Sequence, residues 1–199
     1  MDRIASADDA ALADLLAATP ALARSALKEG ATRARAADNF LGAIDHHLYA
    51  GDTALHVAAA AYRADLARRL IGLGAPVSAT NRRGATPLHY AADGNPQAPR
   101  WDPEAQSAVI AALIEAGADP NAPDCGGVTP LHRAVRGRCA AAVRALLDGG
   151  ADARRENGSG STPLMLATRQ TGRGGSGSRE AKAQQAEIVA LLERRLTAV

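Results

Sequence analysis

The stretch Gly84-Ala-Thr-Pro-Leu-His89 decides the fold, because it returns at regular intervals along the 199-residue chain. The other copies are Gly51-Asp-Thr-Ala-Leu-His56, Gly127-Val-Thr-Pro-Leu-His132 and Gly160-Ser-Thr-Pro-Leu-Met165, so that successive copies start 33, 43 and 33 residues apart. A second motif follows the first three copies, at Leu70-Ile-Gly-Leu-Gly-Ala75, Leu113-Ile-Glu-Ala-Gly-Ala-Asp119 and Leu146-Leu-Asp-Gly-Gly-Ala-Asp152. Two motifs in constant register indicate a repeat protein whose units stack on their neighbours.

Each copy of the first motif has the chemistry of a helix start. Thr86, Thr129 and Thr162 stand at the N-cap, where a hydroxyl can accept a free backbone N–H, and a proline follows at the first helical position. A second helix then ends at the glycine of the second motif, where a left-handed residue closes a helix. Between units, Asn or Asp is followed three residues later by Gly, which predicts a tight turn.

The amino-acid composition also favours a helical protein. Ala accounts for 49 residues, whereas aromatic residues make up only 3% of the chain. Ala is the strongest helix former, and sandwiches and barrels need β-branched and aromatic residues in their strands. We therefore predict an all-α protein.

These units resemble ankyrin repeats in their G-x-T-P-L-H opening and L-L-x-x-G-A-D close, and the resemblance covers residues 51–199. It implies a solenoid of helix-turn-helix units joined by short β-hairpins. It also implies a structural role for His56, His89 and His132, whose rings would hydrogen-bond to the backbone near the hairpins. The segments Trp101-Asp-Pro103 and 171–178 resemble ones in bacterial ankyrin proteins, which bring no known activity.

The repeats set the expected organisation of the chain. We place a helical N-terminal cap at 1–50, and this cap can include a degenerate repeat. Repeat 1 follows at 51–83, repeat 2 at 84–126 with an inter-helix insertion at 93–102, and repeat 3 at 127–159. Repeat 4 and the C-terminal cap occupy 160–199 and contain a Gly-rich insertion at 171–178. In the N-terminal cap we predict helices at 8–18 and 20–28 and a third one through Phe40, Leu41, Ile44 and Leu48. At the other end we predict a helix at 179–197 with Ile188, Leu191, Leu192 and Leu196 inward and Glu180, Lys182, Gln184, Gln185, Glu187 and Arg194 outward.

The resemblance places function on the concave face, formed by the first helices and the hairpin tips. Residues just after the motif histidines would project there: Val57, Tyr90, Arg133 and, in the last repeat, Leu166. Arg82, Arg83, Arg136, Arg154 and Arg155 would add a positive rim. Trp101 either pins the insertion against the helices or is an exposed anchor for a partner. We therefore predict a non-enzymatic scaffold that binds a partner protein with an acidic patch.

Two alternatives stay open. The Gly-rich insertion leads into a helix, so Arg173, Gly174, Gly175, Ser176, Gly177 and Ser178 could bind an anion or a nucleotide instead of forming a linker. Arginines at the hairpin tips could also give weak nucleic-acid binding, although we expect no nucleic-acid partner.

Nothing in the sequence predicts a catalytic site, a cofactor or a metal site. Successive motif histidines would stand about 10 Å apart in a helical stack, too far for a shared metal ion whose bonds measure about 2 Å. Cys125 at a hairpin tip and Cys139 between two helices would be about 12 Å apart, so we expect free thiols, with Cys125 exposed. No apolar run approaches the roughly 20 residues that span a bilayer, and the N-terminus has no leader pattern. We expect a cytoplasmic monomer.

Overall fold

Each repeat motif begins a short inner helix, which a second, outer helix follows. The computed structural model describes residues 9–32, 36–42, 44–96, 98, 101–169 and 179–198. The helices in this part of the chain are α1 (Asp9–Ala18), α2 (Ala54–Ala60), α3 (Ala64–Gly72), α4 (Pro87–Ala92), α5 (Pro103–Glu115), α6 (Pro130–Gly137), α7 (Ala140–Asp148), α8 (Pro163–Thr168) and α9 (Arg179–Thr197).

The helices stack in two layers. The inner helices α2, α4, α6 and α8 pack on one another in order, and the outer helices α3, α5, α7 and α9 do the same. An alanine five residues after each N-cap threonine is buried in every unit, at Ala58, Ala91, Ala134 and Ala167. These small side chains stand where the inner helices meet their neighbours, which accounts for the high Ala content. The all-α solenoid is confirmed.

The turns between repeats form a row along one edge of this stack. At the first of them the Oδ1 atom of Asn81 accepts hydrogen bonds from the backbone N–H groups of Arg83 and Ala85, and Gly84 adopts a φ of +73°. Asp124 and Asn157 make the same pairs of bonds in the next two turns. Backbone bonds then join successive turns, because Cys125 N donates to Arg83 O at 2.9 Å and Gly158 N donates to Gly126 O at 2.8 Å.

The N-terminal cap is less helical than predicted. Helix α1 is confirmed, but the predicted second helix stops after a 3-10 turn at Pro20–Arg24, and Ala26 then pairs with Thr53. The third helix is wrong, since β1 (Phe40–Leu41) and β2 (His46–His47) form an antiparallel hairpin there. Four apolar residues at helical spacing were a weak signal in a segment whose Asn, Gly and Asp residues favour turns.

The C-terminal cap matches its prediction in extent and in its apolar face. Helix α9 buries Ile188, Leu191 and Leu192. Two glutamines assigned to its outer face point inward instead: Gln184 Oε1 accepts from Ala140 N at 2.9 Å and Gln185 Nε2 donates to Ala167 O at 2.7 Å. None of the helices in the described ranges is long and apolar enough to cross a membrane.

Candidate partner-binding groove

A groove of about 470 Å³ runs between the inner helices and the row of turns. The N-terminal cap contributes His46 and Tyr49 to its lining, and the inner helices contribute Tyr90 and Arg133. The helix starts determine where Tyr90 and Arg133 lie, because each directly follows a motif histidine. The groove is therefore a composite of the cap and repeats 1 to 3.

The motif histidines hold neighbouring repeats together. In each case the backbone N–H of the N-cap threonine donates to Nδ1, at 3.1 Å for His56 and His89 and at 3.2 Å for His132. The Nε2 atom of each ring then lies 2.9–3.1 Å from a carbonyl of the following repeat, at Ala85, Val128 and Ser161. These are the backbone contacts that the resemblance implied.

The geometry fixes the protonation of these rings. A nitrogen that accepts from a backbone N–H carries no proton, so the proton sits on Nε2, which donates to the carbonyl, and the ring is neutral. Burial lowers the pKa of all three histidines, and for His89 to about 4. The three neutral rings, with both nitrogens hydrogen-bonded, therefore serve to join neighbouring repeats.

Val57 and Tyr90, which we expected to offer contact surface on the concave face, are buried. Their exposed fractions are 0% and 1%. The Tyr90 hydroxyl donates to Asp52 Oδ2 at 2.7 Å, and Asn81 Nδ2 donates both to Asp52 Oδ1 at 2.9 Å and to the Tyr90 oxygen at 3.1 Å. Asp52 is itself 0% exposed, and the Asp52 carboxylate also accepts a hydrogen bond from the backbone N–H of Tyr49. Tyr90 therefore completes a buried polar cluster and cannot meet a partner.

Arg133 lies at the groove but is already paired. One guanidinium nitrogen lies 2.8 Å from Asp93 Oδ2 and another lies 3.0 Å from Asp124 Oδ2, and only 13% of the side chain is exposed. The arginine keeps the pKa of Asp93 low, at about 2, although burial of that carboxyl acts in the opposite direction. Because two carboxylates neutralise it, Arg133 is not a free cation for a partner, and removing Tyr90 or Arg133 would disturb the fold.

His46 reaches this cluster from the cap hairpin. Its Nε2 lies 3.3 Å from Asp93 Oδ2 and its Nδ1 lies 2.9 Å from the carbonyl oxygen of His47. Both neighbours are acceptors, so the site suits an imidazolium, which has two N–H donors. Burial alone would lower the pKa of His46, but the hydrogen bond and charge of Asp93 outweigh it and raise the pKa.

Two exposed arginines of the groove lie at the tip of the first turn. The guanidinium carbons of Arg82 and Arg83 stand 5.4 and 5.3 Å from the ring centroid of Tyr49, and Arg83 also donates to the Tyr49 hydroxyl at 3.3 Å. Arg82 donates to Ala31 O as well. We call Arg82, Arg83 and Tyr49 the basic tip.

The other predicted contact residues divide between the surface and internal contacts. Arg136 and Arg155 are exposed, and Leu166 is half-buried. Arg154 is exposed but donates to Leu196 O at 2.7 Å, which attaches its repeat to the C-terminal cap. Trp101 is half-buried and donates from Nε1 to Gln106 Oε1 at 2.8 Å, so it pins the insertion to α5. After Trp101, Asp102 caps α5 by accepting hydrogen bonds from Glu104 N and Ala105 N.

The sequence alone did not indicate that several of these residues belong to the groove and its charged cluster. Asp52, Asp93 and Asp124 are ordinary acidic residues at motif edges or turns, and His46 was placed in a helix that does not form. The alternative anion site at Arg173–Ser178 lies outside the described residues. Within the described ranges, no group of three His, Cys, Asp or Glu residues is placed to hold a metal ion.

The two cysteines are free thiols in contrasting surroundings. Cys125 is exposed at a turn tip, as expected, and Cys139 is buried at the start of α7. Burial raises the pKa of the Cys139 thiol to about 12, so this sulfur stays protonated and unreactive at neutral pH.

Sequence comparisons agree with the repeat structure. A family model described as ankyrin repeats (3 copies) matches residues 22–101, a single ankyrin repeat matches residues 83–125, and a model described as ankyrin repeats (many copies) matches residues 113–167. Together these matches extend from residue 22 to residue 167. No curated protein matches the chain.

Proposed function

The chain belongs to the ankyrin-repeat family, whose repeats generally mediate protein–protein interaction, and from this premise we propose that it is a non-enzymatic scaffold. Its partner is a protein bound along the groove between the inner helices and the turns. The observation that carries this proposal is the basic tip, an exposed pair of arginines held around one tyrosine.

Residue type supports this assignment of the contact surface. Tyr and Arg are enriched among residues that dominate binding energy at protein interfaces. Arg82 and Arg83 are exposed, and both guanidinium groups lie against the half-buried Tyr49, so that the tyrosine limits the conformations of both long side chains. A partner that binds here immobilises side chains that are already restricted, so binding costs less conformational entropy than binding to unrestrained arginines would.

Charge supports an acidic partner. Arg133 is neutralised by two aspartates, so the cations that a partner can reach at the groove and its rim are Arg82, Arg83, Arg136 and Arg155. Arg82, Arg83 and Arg136 line the groove, and Arg155 is an exposed residue just before the turn that starts at Asn157. Complementary charge would speed association and select against basic proteins.

The chemistry of the described residues supports a scaffold without catalysis. The three motif histidines are neutral and have both ring nitrogens bonded, and the Cys139 thiol is buried and protonated. An activated nucleophile needs a base within hydrogen-bond reach and a lowered pKa. Free thiols also suit a reducing compartment, so we propose that the protein acts in the cytoplasm. We further propose that it acts as a monomer.

Affinity capture with matched variants tests the proposal. Arg83→Ala/Arg155→Ala removes two charges from the turns, and Arg68→Ala/Arg144→Ala removes two exposed charges from the outer helices. We expect the Arg83→Ala/Arg155→Ala variant to fail to capture partners that the wild type and the Arg68→Ala/Arg144→Ala variant both capture. Equal capture by both double variants would contradict the groove assignment. Capture that nuclease treatment abolishes, with steep salt dependence, would instead favour nucleic acid.

A further inference from the structure

The imidazole of His46 lies at the boundary between two cavities. One is the groove of about 470 Å³ described above. The other, which we call the insertion pocket, has about 330 Å³ and lies between the cap hairpin, the end of α2 and the insertion of repeat 2, where Trp101 lines it. Among the described residues, His46, Tyr90 and Asp93 line both cavities. The position of the His46 ring therefore affects how far the groove extends.

Three contacts hold the ring in this place. It stacks on Tyr90 with centroids 4.0 Å apart, its Nε2 lies 3.3 Å from Asp93 Oδ2, and its Nδ1 lies 2.9 Å from His47 O. Both ring nitrogens thus face oxygen atoms that only accept hydrogen bonds. An imidazolium satisfies both oxygens with its two N–H groups, whereas either neutral tautomer places a bare nitrogen lone pair against one of them. The observed position suits the charged ring and disfavours the neutral one.

The backbone that carries His46 is held by contacts that do not involve its imidazole. Leu48 N donates to Asn39 O at 2.8 Å across the hairpin, and Leu41 and Ile44 pack against the core. These contacts stay in place when the ring loses its proton. The side chain can then take another rotamer while the hairpin remains attached.

A ring that turns outward leaves no unpaired charge behind. Asp93 keeps its ion pair with Arg133 at 2.8 Å, and the Tyr90 hydroxyl keeps its bond to Asp52. The His46 side chain itself is only 18% exposed where it stands, so the neutral ring gains water for its unsatisfied nitrogen by turning outward. Because a buried polar atom without a partner is costly, this exchange favours the outward position for the neutral ring.

The groups around His46 hold their charge while His46 changes its own. In the described part of the chain, the titratable or charged groups that face it are Asp93 and Tyr90 at α4, Arg133 on α6, His56 on α2, Tyr62 after α2, and Asp45 in the hairpin. Burial would raise the pKa of Asp93, but Arg133 holds it at about 2. Burial also lowers the pKa of His56 and raises the pKa of both tyrosines. These four groups keep one charge state between pH 5.5 and pH 8.5.

We propose that His46 is a proton-controlled gate: its imidazolium separates the groove from the insertion pocket, and the neutral ring turns away from Tyr90 and joins the two cavities. Burial lowers the pKa of His46, but the hydrogen bond and charge of Asp93 outweigh burial, so the gate opens above pH 6.5. A partner in the groove would then reach Trp101. This last consequence rests on the function proposed above, whereas the gate itself does not.

Proton NMR of the full chain tests the gate without a partner. Nuclear Overhauser cross-peaks between the His46 and Tyr90 rings report stacking, and a neutral nitroxide in the buffer broadens ring protons that it can approach. Below the measured pKa of His46 we expect these cross-peaks and a protected Tyr90 ring, which is 1% exposed. Above it we expect the cross-peaks to disappear and Tyr90 to broaden, with midpoints at that pKa. Cross-peaks that persist after His46 has lost its proton, or titration of His46 below pH 6.5, would overturn the proposal.

Two histidine variants separate the gate from a general effect of pH. Successive strand residues point to opposite faces, and the His47 ring packs on Phe40, so His47→Gln should leave the opening and its midpoint unchanged. His46→Ala removes the gate, so the nitroxide should broaden Tyr90 equally at pH 5.5 and pH 8.5. A pH response that survives in His46→Ala, or that is lost in His47→Gln, would contradict the assignment.

His46→Phe provides a second check that keeps an aromatic ring on Tyr90. Phenylalanine carries no proton to lose, so Tyr90 should stay protected at both pH values. A Tyr90 ring that becomes accessible at pH 8.5 in this variant would show that opening does not depend on the His46 proton. The Arg83→Ala/Arg155→Ala variant should open as the wild type does, so the gate and the partner groove succeed or fail separately.

Discussion

The imidazole of His46 stacks on the phenol ring of Tyr90, with centroids 4.0 Å apart and planes inclined by 25°. This contact joins the cap hairpin to the inner helix of repeat 2. The same imidazole lies 3.3 Å from Asp93, at the end of that helix. A titratable ring is therefore one of the links between the N-terminal cap and the groove.

We predict that His46 titrates above its ordinary pKa of 6.5. A raised pKa in the folded state means that the ring contributes stability fully below pH 6.5 and loses that contribution as the pH rises through the folded pKa. The cost of His46→Ala, measured by urea unfolding, should therefore be larger at pH 5.5 than at pH 8.5. NMR of the His46 ring protons measures the pKa directly.

Asp93→Asn provides the control for His46. The amide keeps the shape of the side chain but removes the charge that raises the pKa, so burial should then bring the pKa of His46 down. If His46 in the unaltered protein titrates below 6.5, the imidazolium assignment is wrong.

The motif histidines should behave in the opposite way. The pKa of His89 is about 4 in the folded protein, so the unfolded chain takes up a proton first as the pH falls. The resulting loss of stability begins near pH 6.5 and continues towards pH 4. A stability profile from chemical unfolding at several pH values would contradict this if it were flat over that range.

Replacing His89 by Ala at neutral pH should cost about 1–3 kcal/mol, because the Thr86 N–H and the Val128 carbonyl lose their buried partner. Met165 occupies the same motif position in repeat 4 and is 45% exposed. Met165→Ala should cost less than about 0.5 kcal/mol. Similar losses for the two variants would show that the histidine is only a space-filling residue.

Tyr90→Phe should lower the free energy of unfolding by about 1–3 kcal/mol, because it removes one donor from the fully buried carboxylate of Asp52. Tyr49→Phe is the matched control, since its hydroxyl only accepts from the exposed Arg83. We expect less than about 0.5 kcal/mol for the control. Thermal unfolding followed by circular dichroism distinguishes the two, and a Tyr90→Phe protein as stable as wild type would contradict the buried cluster.

The two thiols should differ in reactivity with a thiol reagent such as dithiobisnitrobenzoate. Cys125 is exposed and should react at once in the native protein, whereas Cys139 is buried with a pKa of about 12 and should react only after unfolding. Absorbance at native conditions should report one thiol per chain, and denaturant should release the second. Release of both thiols from the native protein would contradict the placement of Cys139.

The sequence by itself determined the repeat architecture. Thr86, Pro87 and His89 act within one turn of helix, and recurrence of such local motifs sets the helix starts, the turn positions and the length of each unit. The C-terminal helix was equally predictable, because Ile188, Leu191 and Leu192 form one apolar stripe. Local chemistry suffices for these elements, since each needs only its neighbours along the chain.

Only the tertiary structure decided which side chains are free to bind. Val57 and Tyr90 follow the motif histidines as expected, yet the neighbouring repeat and the cap hairpin bury them. Arg133 is neutralised by Asp93 and Asp124, which stand 40 and 9 residues away in the chain. Burial and charge pairing depend on residues that are distant in sequence, so periodicity could place a residue on a helix without showing what covers it.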